Sequence, residues 1–325
     1  MVSIELLHVY GPYFSSVYGN VVLVDPLMPP KKCPLDCISC PLGATRIFNR
    51  ELTLRLNTTR IIGELSEAYS AFSRSSLNLG AIYVWGSGDP LTLSSIISVL
   101  EAIYNFTCEA GRENRILVHA SIVNMDKVVK YSREIEKYVD RVIVPFLWYG
   151  EDRIFLGWNQ EYSFSQQLEV FRNATTLLKD KITVELHVFK IKNSLYPDTA
   201  QLAETTAYLR NLNIEELIVK CVDRPSTSQA VKSVPRSYIE KIKEELTSTG
   251  FKVSIEELSA PAKVVVWRNT IIALYNYLIR IPLKYGEIAS IYGPLGVEAL
   301  NNLVAKKLVV KEPWSGSIYY RGVVI

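Results

Sequence analysis

The sequence has no long hydrophobic run. Its longest apolar stretches, such as Val21-Val22-Leu23-Val24, fall far short of the roughly 20 residues that a membrane-spanning helix needs. This excludes an α-helical transmembrane anchor and gives no membrane partner. A basic segment followed by an apolar one is also missing from the N-terminus. With no secretory signal, the expected compartment is the cytoplasm, where thiols stay reduced. Histidine is scarce, with only His8, His119 and His187 in 325 residues. Cysteine is scarce too, and its count of 5 is odd. An odd count in a long chain without a secretory signal argues against a disulfide framework. Neither sign of charge dominates, with 36 Lys and Arg against 33 Asp and Glu. Apolar residues make up 48% of the chain, enough for a sizeable core.

Against this background the cysteines that are present stand out by their placement. Cys33, Cys37 and Cys40 fall within one loop, residues 31–43, as C-x3-C-x2-C. Three thiolates on one short loop suit three irons of a [4Fe-4S] cluster, leaving the fourth iron open to another ligand. Zinc and unliganded structural cysteines are the alternatives. A zinc site, however, calls for a fourth ligand at suitable spacing, and here His8, His119, His187, Cys108 and Cys221 all lie far from the loop in sequence. Cys108 falls in a predicted helix and Cys221 in a predicted strand, as buried core cysteines do, so a single cluster is expected.

Hydrophobic periodicity after the loop alternates between helix and strand. Helices are predicted over residues 58–72, 93–110, 126–139, 163–178, 199–212 and 235–249, and strands over 21–24, 81–85, 116–119, 142–147, 182–189, 217–222 and 251–255. Strands that alternate with helices of this length predict right-handed βαβ units around a parallel sheet. About six repeats fit either a partial barrel or a doubly wound sheet. In a barrel-like sheet, the cysteine loop and the turn Gly86-Ser87-Gly88-Asp89-Pro90 each follow a strand and so share one rim.

The pattern changes near residue 262, which sets expected domains of 1–258 and 262–325. Beyond the boundary come predicted helices over 264–279, 287–292 and 297–308, then a hairpin turning at Pro313-Trp314-Ser315-Gly316. This is the order of a winged helix-turn-helix. From Lys263 onward, eight Lys or Arg stand against three Glu, and the candidate recognition helix carries Asn301, Asn302, Lys306 and Lys307. Nucleic acid is therefore a candidate partner for 262–325, with packing or protein contact the other reading.

Four stretches together resemble the radical S-adenosylmethionine (radical SAM) superfamily. Within it, the likeness is to the archaeal and bacterial Fe–S oxidoreductases related to wyosine-type tRNA-modifying enzymes. The stretches are Gly11-Pro12 through Gly43, Gly86-Ser87-Gly88-Asp89-Pro90, the segment 184–190, and Val222-Asp223-Arg224-Pro225 with the helix after it. The resemblance implies a partial (β/α)6 TIM-like barrel of parallel strands with the winged-helix-like domain appended. It implies that Cys33, Cys37 and Cys40 ligate a [4Fe-4S] cluster whose fourth iron takes the amino and carboxylate groups of S-adenosylmethionine. Electron transfer through the cluster then cleaves the sulfonium to a 5′-deoxyadenosyl radical, which takes hydrogen from a substrate. The substrate is unidentified, with RNA and protein as candidates, and the electron donor would be a ferredoxin- or flavodoxin-like reductant.

The implied cofactor contacts are Ser39, Ser87, Gly88, Asp89 and Asn193, with the Asp89 carboxylate facing the methionine ammonium. Two substitutions depart from the superfamily: Ser39 stands where an aromatic residue usually precedes the third cysteine, and Asp89 replaces a Glu. They leave a second expectation open, a non-enzymatic Fe–S redox sensor that controls a nucleic-acid-binding module. His119 and His187, at predicted strand ends, are either site residues or hydrogen-bonded core groups, and Asp223 and Arg224 either line a pocket or form a turn ion pair. The wyosine reaction itself is not expected, because that chemistry uses cysteines for a second cluster.

Overall fold

The computed structural model describes residues 4–109, 111, 114–147, 157, 163–259 and 261–324. It opens with an antiparallel pair, β1 (Val9–Ser15) and β2 (Gly19–Val24). The chain then runs through α1 (Thr58–Arg74), β3 (Ala81–Val84), α2 (Ile96–Glu109), β4 (Arg115–His119), α3 (Met125–Lys130), α4 (Ser132–Tyr138) and β5 (Arg141–Phe146). It continues with α5 (Phe164–Leu177), β6 (Ile182–Ile191), β7 (Ser194–Tyr196), α6 (Thr199–Asn211), β8 (Glu216–Cys221), β9 (Val231–Lys232), α7 (Arg236–Ser248) and β10 (Lys252–Glu256). The main sheet has the order β1-β2-β3-β4-β5-β6-β8-β10, and every pairing from β2 to β10 along it is parallel.

Each parallel strand lies beside the one before it, so the sheet curls in one direction rather than winding both ways. This decides between the two architectures left open by periodicity: the parallel strands form a curled partial barrel. The edges of the sheet approach closely. Ser15 bridges Leu258, Ser16 N donates to Glu257 O at 3.1 Å and Ser259 N to Phe14 O at 2.7 Å.

Period-two alternation sorts the strand residues. Val22, Val24, Ile82, Val84, Val118, Val144, Val184, Leu186 and Val219 join the core under the helices. That core includes Ile61, Leu65, Ala68 and Phe72 of α1. The other face points inward, where Val21, Ala81, Leu117 and Ile143 pack together near the strands' N-terminal ends. Above this apolar floor the inward positions become polar.

Several boundaries differ from the sequence expectation. The predicted helix at 126–139 is two helices, α3 and α4, which meet at Tyr131, whose backbone (φ −104°, ψ 25°) leaves the helical region. The helix expected from residue 93 starts at Ile96, after a 3-10 turn over Pro90–Thr92 capped by Asp89. Residue 110, its expected end, lies outside the described residues. β1, β7 and β9 are additions: β1 contains Pro12 and a register shift between Tyr10 and Tyr13, and the other two are three and two residues long.

The C-terminal segment forms α8 (Thr270–Leu278), β11 (Leu283–Lys284), α9 (Tyr285–Ala305), β12 (Val309–Trp314) and β13 (Ser317–Gly322). α8 begins six residues later than the expected 264, capped by the Asn269 side chain on Ile272 N. α9 is two helical stretches kinked at Gly293, where φ is +64° and Pro294 follows. The three strands form an antiparallel sheet in the order β11-β13-β12. This unit shares its core with the barrel: Tyr10 and Phe14 of β1 pack with Leu274, Tyr277 and Leu278 of α8. No described helix is long and apolar enough to cross a membrane.

Candidate functional site at the C-terminal rim

The cysteine loop leaves β2 and is fastened at both ends by backbone hydrogen bonds. At its start, Lys32 N donates to Ser87 O at 2.7 Å and Cys33 N to Ile47 O at 3.1 Å. At its end, Thr227 N donates to Cys40 O at 2.9 Å, Ser228 N to Ile38 O at 3.1 Å and Thr227 Oγ1 to Gly43 O at 2.9 Å. Arg321 of β13 adds a bond from its guanidinium to Pro41 O at 2.8 Å. Inside the loop, the buried Lys31 reaches Gly43 O at 2.8 Å and pairs with Asp36 at 3.6 Å. Burial works against the Lys31 charge, but the three cysteines and Asp36 raise its affinity for a proton.

Cys33, Cys37 and Cys40 line one cavity together with Lys31, Trp85, Gly88, Asp89, His119 and Ser121. All three are free thiols. Burial pushes the Cys33 thiol up to about 12 and raises Cys37 as well, so a cationic metal centre is what would hold them as thiolates. Among the described residues, no three His, Cys, Asp or Glu side chains converge as the ligands of a single ion would. A [4Fe-4S] cluster takes one thiolate per iron, and this cavity has three cysteines on its wall.

The glycine turn is built for close approach to this loop. A Cβ on Gly88, whose φ is +133°, would stand 1.7 Å from Lys32 O, so only glycine fits. Gly86 lies against the Asp25 side chain, 2.3 Å from where its own Cβ would be. Ser87 Oγ donates to Asp25 Oδ2 at 2.6 Å, and Arg280 Nε donates to the same oxygen at 2.8 Å. Burial would push the Asp25 carboxyl up, but Arg280 and Ser87 hold it below the usual carboxylate range.

Asp89 is held by several protein donors. It is 1% exposed. Its Oδ1 accepts from Leu91 N at 2.9 Å, while its Oδ2 accepts from Ser121 N and Asn124 Nδ2, each at 2.8 Å, and from Ser121 Oγ. The carboxylate caps a 3-10 turn, and Asp89 lines the cysteine cavity beside Gly88. Asn193 is not brought to the site. It sits exposed at the tip of the β6–β7 hairpin, beside Tyr196, Asp198 and Tyr238 in a separate cavity.

Ser39 is also committed. Its hydroxyl, 3% exposed, lies 3.1 Å from His187 Nδ1. His187 Nε2 lies 2.7 Å from Glu185 Oε1, and Glu185 Oε2 accepts from Lys220 Nζ at 3.2 Å. Lys220 stands in register with His187 on one side and Glu256 on the other. Glu256 in turn accepts from Tyr13 Oη and Ser15 Oγ, each at 2.7 Å. Burial disfavours a charged Glu185, yet Lys220 and His187 hold its carboxyl well below the usual range. Burial and the charge on Glu185 push Glu256 up despite Lys220 and its hydroxyl donors.

These side chains line a cavity of about 130 Å³ that opens beside Cys37 and Cys40. Its opposite wall is aromatic: Tyr83 and Trp85 stack at 6.0 Å, and His119 lies 5.9 Å from Trp85. The Tyr83 hydroxyl and His119 Nδ1 are 3.1 Å apart, and burial lowers the His119 pKa to about 3, keeping the ring neutral. Both histidines are thus brought to the site. Asp223 and Arg224 are there too, joined by paired 2.8 Å hydrogen bonds.

Glu185, Lys220 and Glu256 were not singled out from the sequence. The signal for them is period two: charged residues at alternate positions in otherwise apolar parallel strands must face the barrel interior, since the outer face is buried under helices.

With this geometry in place, comparison with known proteins is informative. No family model matches the chain. A UPF0026 protein of Helicobacter pylori (strain J99 / ATCC 700824) is 24% identical over 317 residues, 96% of each chain. A UPF0026 protein of Synechocystis sp. (strain ATCC 27184 / PCC 6803 / Kazusa) is 27% identical over 142 residues, covering 43% of this chain and 49% of its own. Among solved structures, a radical SAM methyltransferase from Sphaerobacter thermophilus superposes with a TM-score of 0.55 at 14% identity. The barrel is folded like that of a radical SAM enzyme. The match takes in 73% of this chain and 65% of the methyltransferase, and it establishes the fold.

Proposed function

We propose that the chain is a radical SAM enzyme with a single [4Fe-4S] cluster on Cys33, Cys37 and Cys40. The observation that carries this reading is the shared cavity, in which three thiols from one loop meet the Gly86–Gly88 backbone at the C-terminal rim of a partial barrel. When bound, the cluster and S-adenosylmethionine supply reductive cleavage of the sulfonium and a carbon radical that abstracts hydrogen. The chain's own residues shape the rest. Gly88 and Ser87 bring backbone to the cofactor's amino and carboxylate groups. Trp85 and Tyr83 offer an aromatic face. The interior charges of Glu185, Lys220 and Glu256 orient a substrate from RNA or protein within the larger cavity. A ferredoxin- or flavodoxin-like protein in the cytoplasm supplies the electron.

The C-terminal segment supports a winged-helix reading by its element order and by its β11-β13-β12 sheet. Its second helical stretch exposes Asn301 and Asn302, and the turn that follows exposes Lys306 and Lys307, which suits a nucleic-acid partner. One observation favours the sensor as a second reading: both Ser39 and Asp89, expected at the cofactor, are bound up by protein partners.

Anaerobic reconstitution with iron and sulfide, followed by dithionite and S-adenosylmethionine, tests the enzyme reading. The expected product is 5′-deoxyadenosine, lost together with the cluster in Cys33→Ser, Cys37→Ser and Cys40→Ser but retained in Cys108→Ser. A fully loaded cluster that yields no 5′-deoxyadenosine rules out the enzyme and leaves the sensor, which requires duplex affinity that changes with cluster state.

A further inference from the structure

We propose that the Ser39–His187 hydrogen bond is the device that sets the cysteine loop against the barrel, with His187 as a positioning residue. The inference takes its functional meaning from the radical SAM reading, although its geometry stands apart from it.

The other fastenings described above hold the loop through its backbone, including Ile38 O and Cys40 O on either side of Ser39. The middle of the loop, between Cys37 and Cys40, consists of Ile38 and Ser39. Of these two, Ser39 has the polar side chain, and it turns inward to His187 at 3.1 Å. The imidazole it meets is itself held in place. Glu185 carries negative charge and can only accept at 2.7 Å, so Nε2 donates to it, and Nδ1 is left to share a hydrogen bond with the serine hydroxyl. Glu185 is fixed in turn by Lys220 on the next strand. Ammonium, carboxylate, imidazole and hydroxyl therefore form a braced line from β8 through β6 to Ser39, one of the two residues between Cys37 and Cys40, as supporting hydrogen bonds orient ligands at other metal centres.

The same three side-chain types also make up hydrolytic triads. Here the Ser39 hydroxyl is 3% exposed and is taken up by the imidazole, so the arrangement positions rather than attacks.

The test uses the full chain with Ser39→Ala, His187→Phe, their double variant and His187→Asn. The asparagine amide can stand where Nδ1 stood, restoring the bond to Ser39. Hydrogen exchange of the 37–40 amides, read with and without the cluster, should rise about tenfold in each single variant, as the loss of one hydrogen bond predicts. The double variant should be no worse than either single, and His187→Asn should recover part of the protection. In loaded protein, the change that S-adenosylmethionine causes in the electron paramagnetic resonance spectrum of the reduced cluster should be altered in the same variants at unchanged iron content. Unchanged exchange in the singles, or effects that multiply in the double, would overturn the proposal. If the wild-type chain takes up no cluster, the radical SAM reading fails, and exchange in the metal-free chain still decides this one.

Discussion

The Arg280 guanidinium donates to the Asp25 carboxylate at 2.8 Å, and both side chains are fully buried. The pair joins the end of β2 to the segment just after α8, and Asp25 also holds Ser87 of the glycine turn. The Arg280 guanidinium lies 4.6 Å from the centre of the Tyr10 ring and donates to Asn276 O and Leu7 O. Removing one member of such a pair strands the other charge in the core. Arg280→Met is expected to cost about 3–5 kcal/mol of stability, and adding Asp25→Asn should recover part of it. Urea unfolding measures both, and a loss below about 1 kcal/mol would show the pair to be dispensable.

The same pair sets an acid limit. The Asp25 pKa in the folded chain lies below its ordinary value of 3.8. Its stabilising contribution is therefore fully present above that pH and is lost as pH falls through the lower folded value. Stability measured against pH should fall more steeply below pH 3.8 in the wild type than in Asp25→Asn. Parallel curves would contradict the assignment.

Glycine substitutions should divide sharply by place. Gly88→Ala forces a methyl onto Lys32 O and detaches the glycine turn from the cysteine loop, so cluster loading should fail and the melting temperature should drop. Gly63→Ala, in the middle of α1 with nothing near its added methyl, should raise stability by about 0.5–1 kcal/mol. Iron content and thermal melts of the two variants, run side by side, give the comparison.

The hairpin of β12 and β13 reaches the barrel through Trp314. This indole is buried and donates to Val231 O at 2.9 Å, while the Tyr319 hydroxyl bonds Asp223 O at the cavity edge. Trp314→Ala should cost about 3–5 kcal/mol. Should it prove neutral in chemical denaturation, the hairpin does not form part of the cooperative fold.

If the C-terminal helix contacts nucleic acid, Lys306→Glu with Lys307→Glu should weaken binding to duplex DNA or to tRNA, and should reduce the slope of log affinity against log salt by about 2. Binding that ignores both salt and these substitutions would remove nucleic acid as a partner of this surface.

The helix and strand sequence of the barrel was legible because each element carries its own period, and the cysteine loop because its spacing is unusual. The protein partners of Ser39 and Asp89 were not. Both were read as ligand contacts from their positions beside motifs. Their actual partners, His187, Ser121 and Asn124, lie 32 to 148 residues away, and no local pattern encodes such pairings. Asn193 failed for a related reason. β6 continues through Ile191 and turns back into β7, which carries residue 193 past the rim. Glu185, Lys220 and Glu256 were in principle legible, since alternation marks them once the sheet is known to be covered outside.

Arg321 also imposes an order in time. It closes on Pro41 across a sequence separation of 280 residues. A ribosome releases the cysteine loop early, but the strand that pins its far side does not exist until β13 has been made. During that interval the three thiols sit on an incompletely tethered loop. Under the cluster reading proposed above, the thiols would be most accessible to iron and sulfide before folding is finished, and completion of the hairpin locks the loop afterwards.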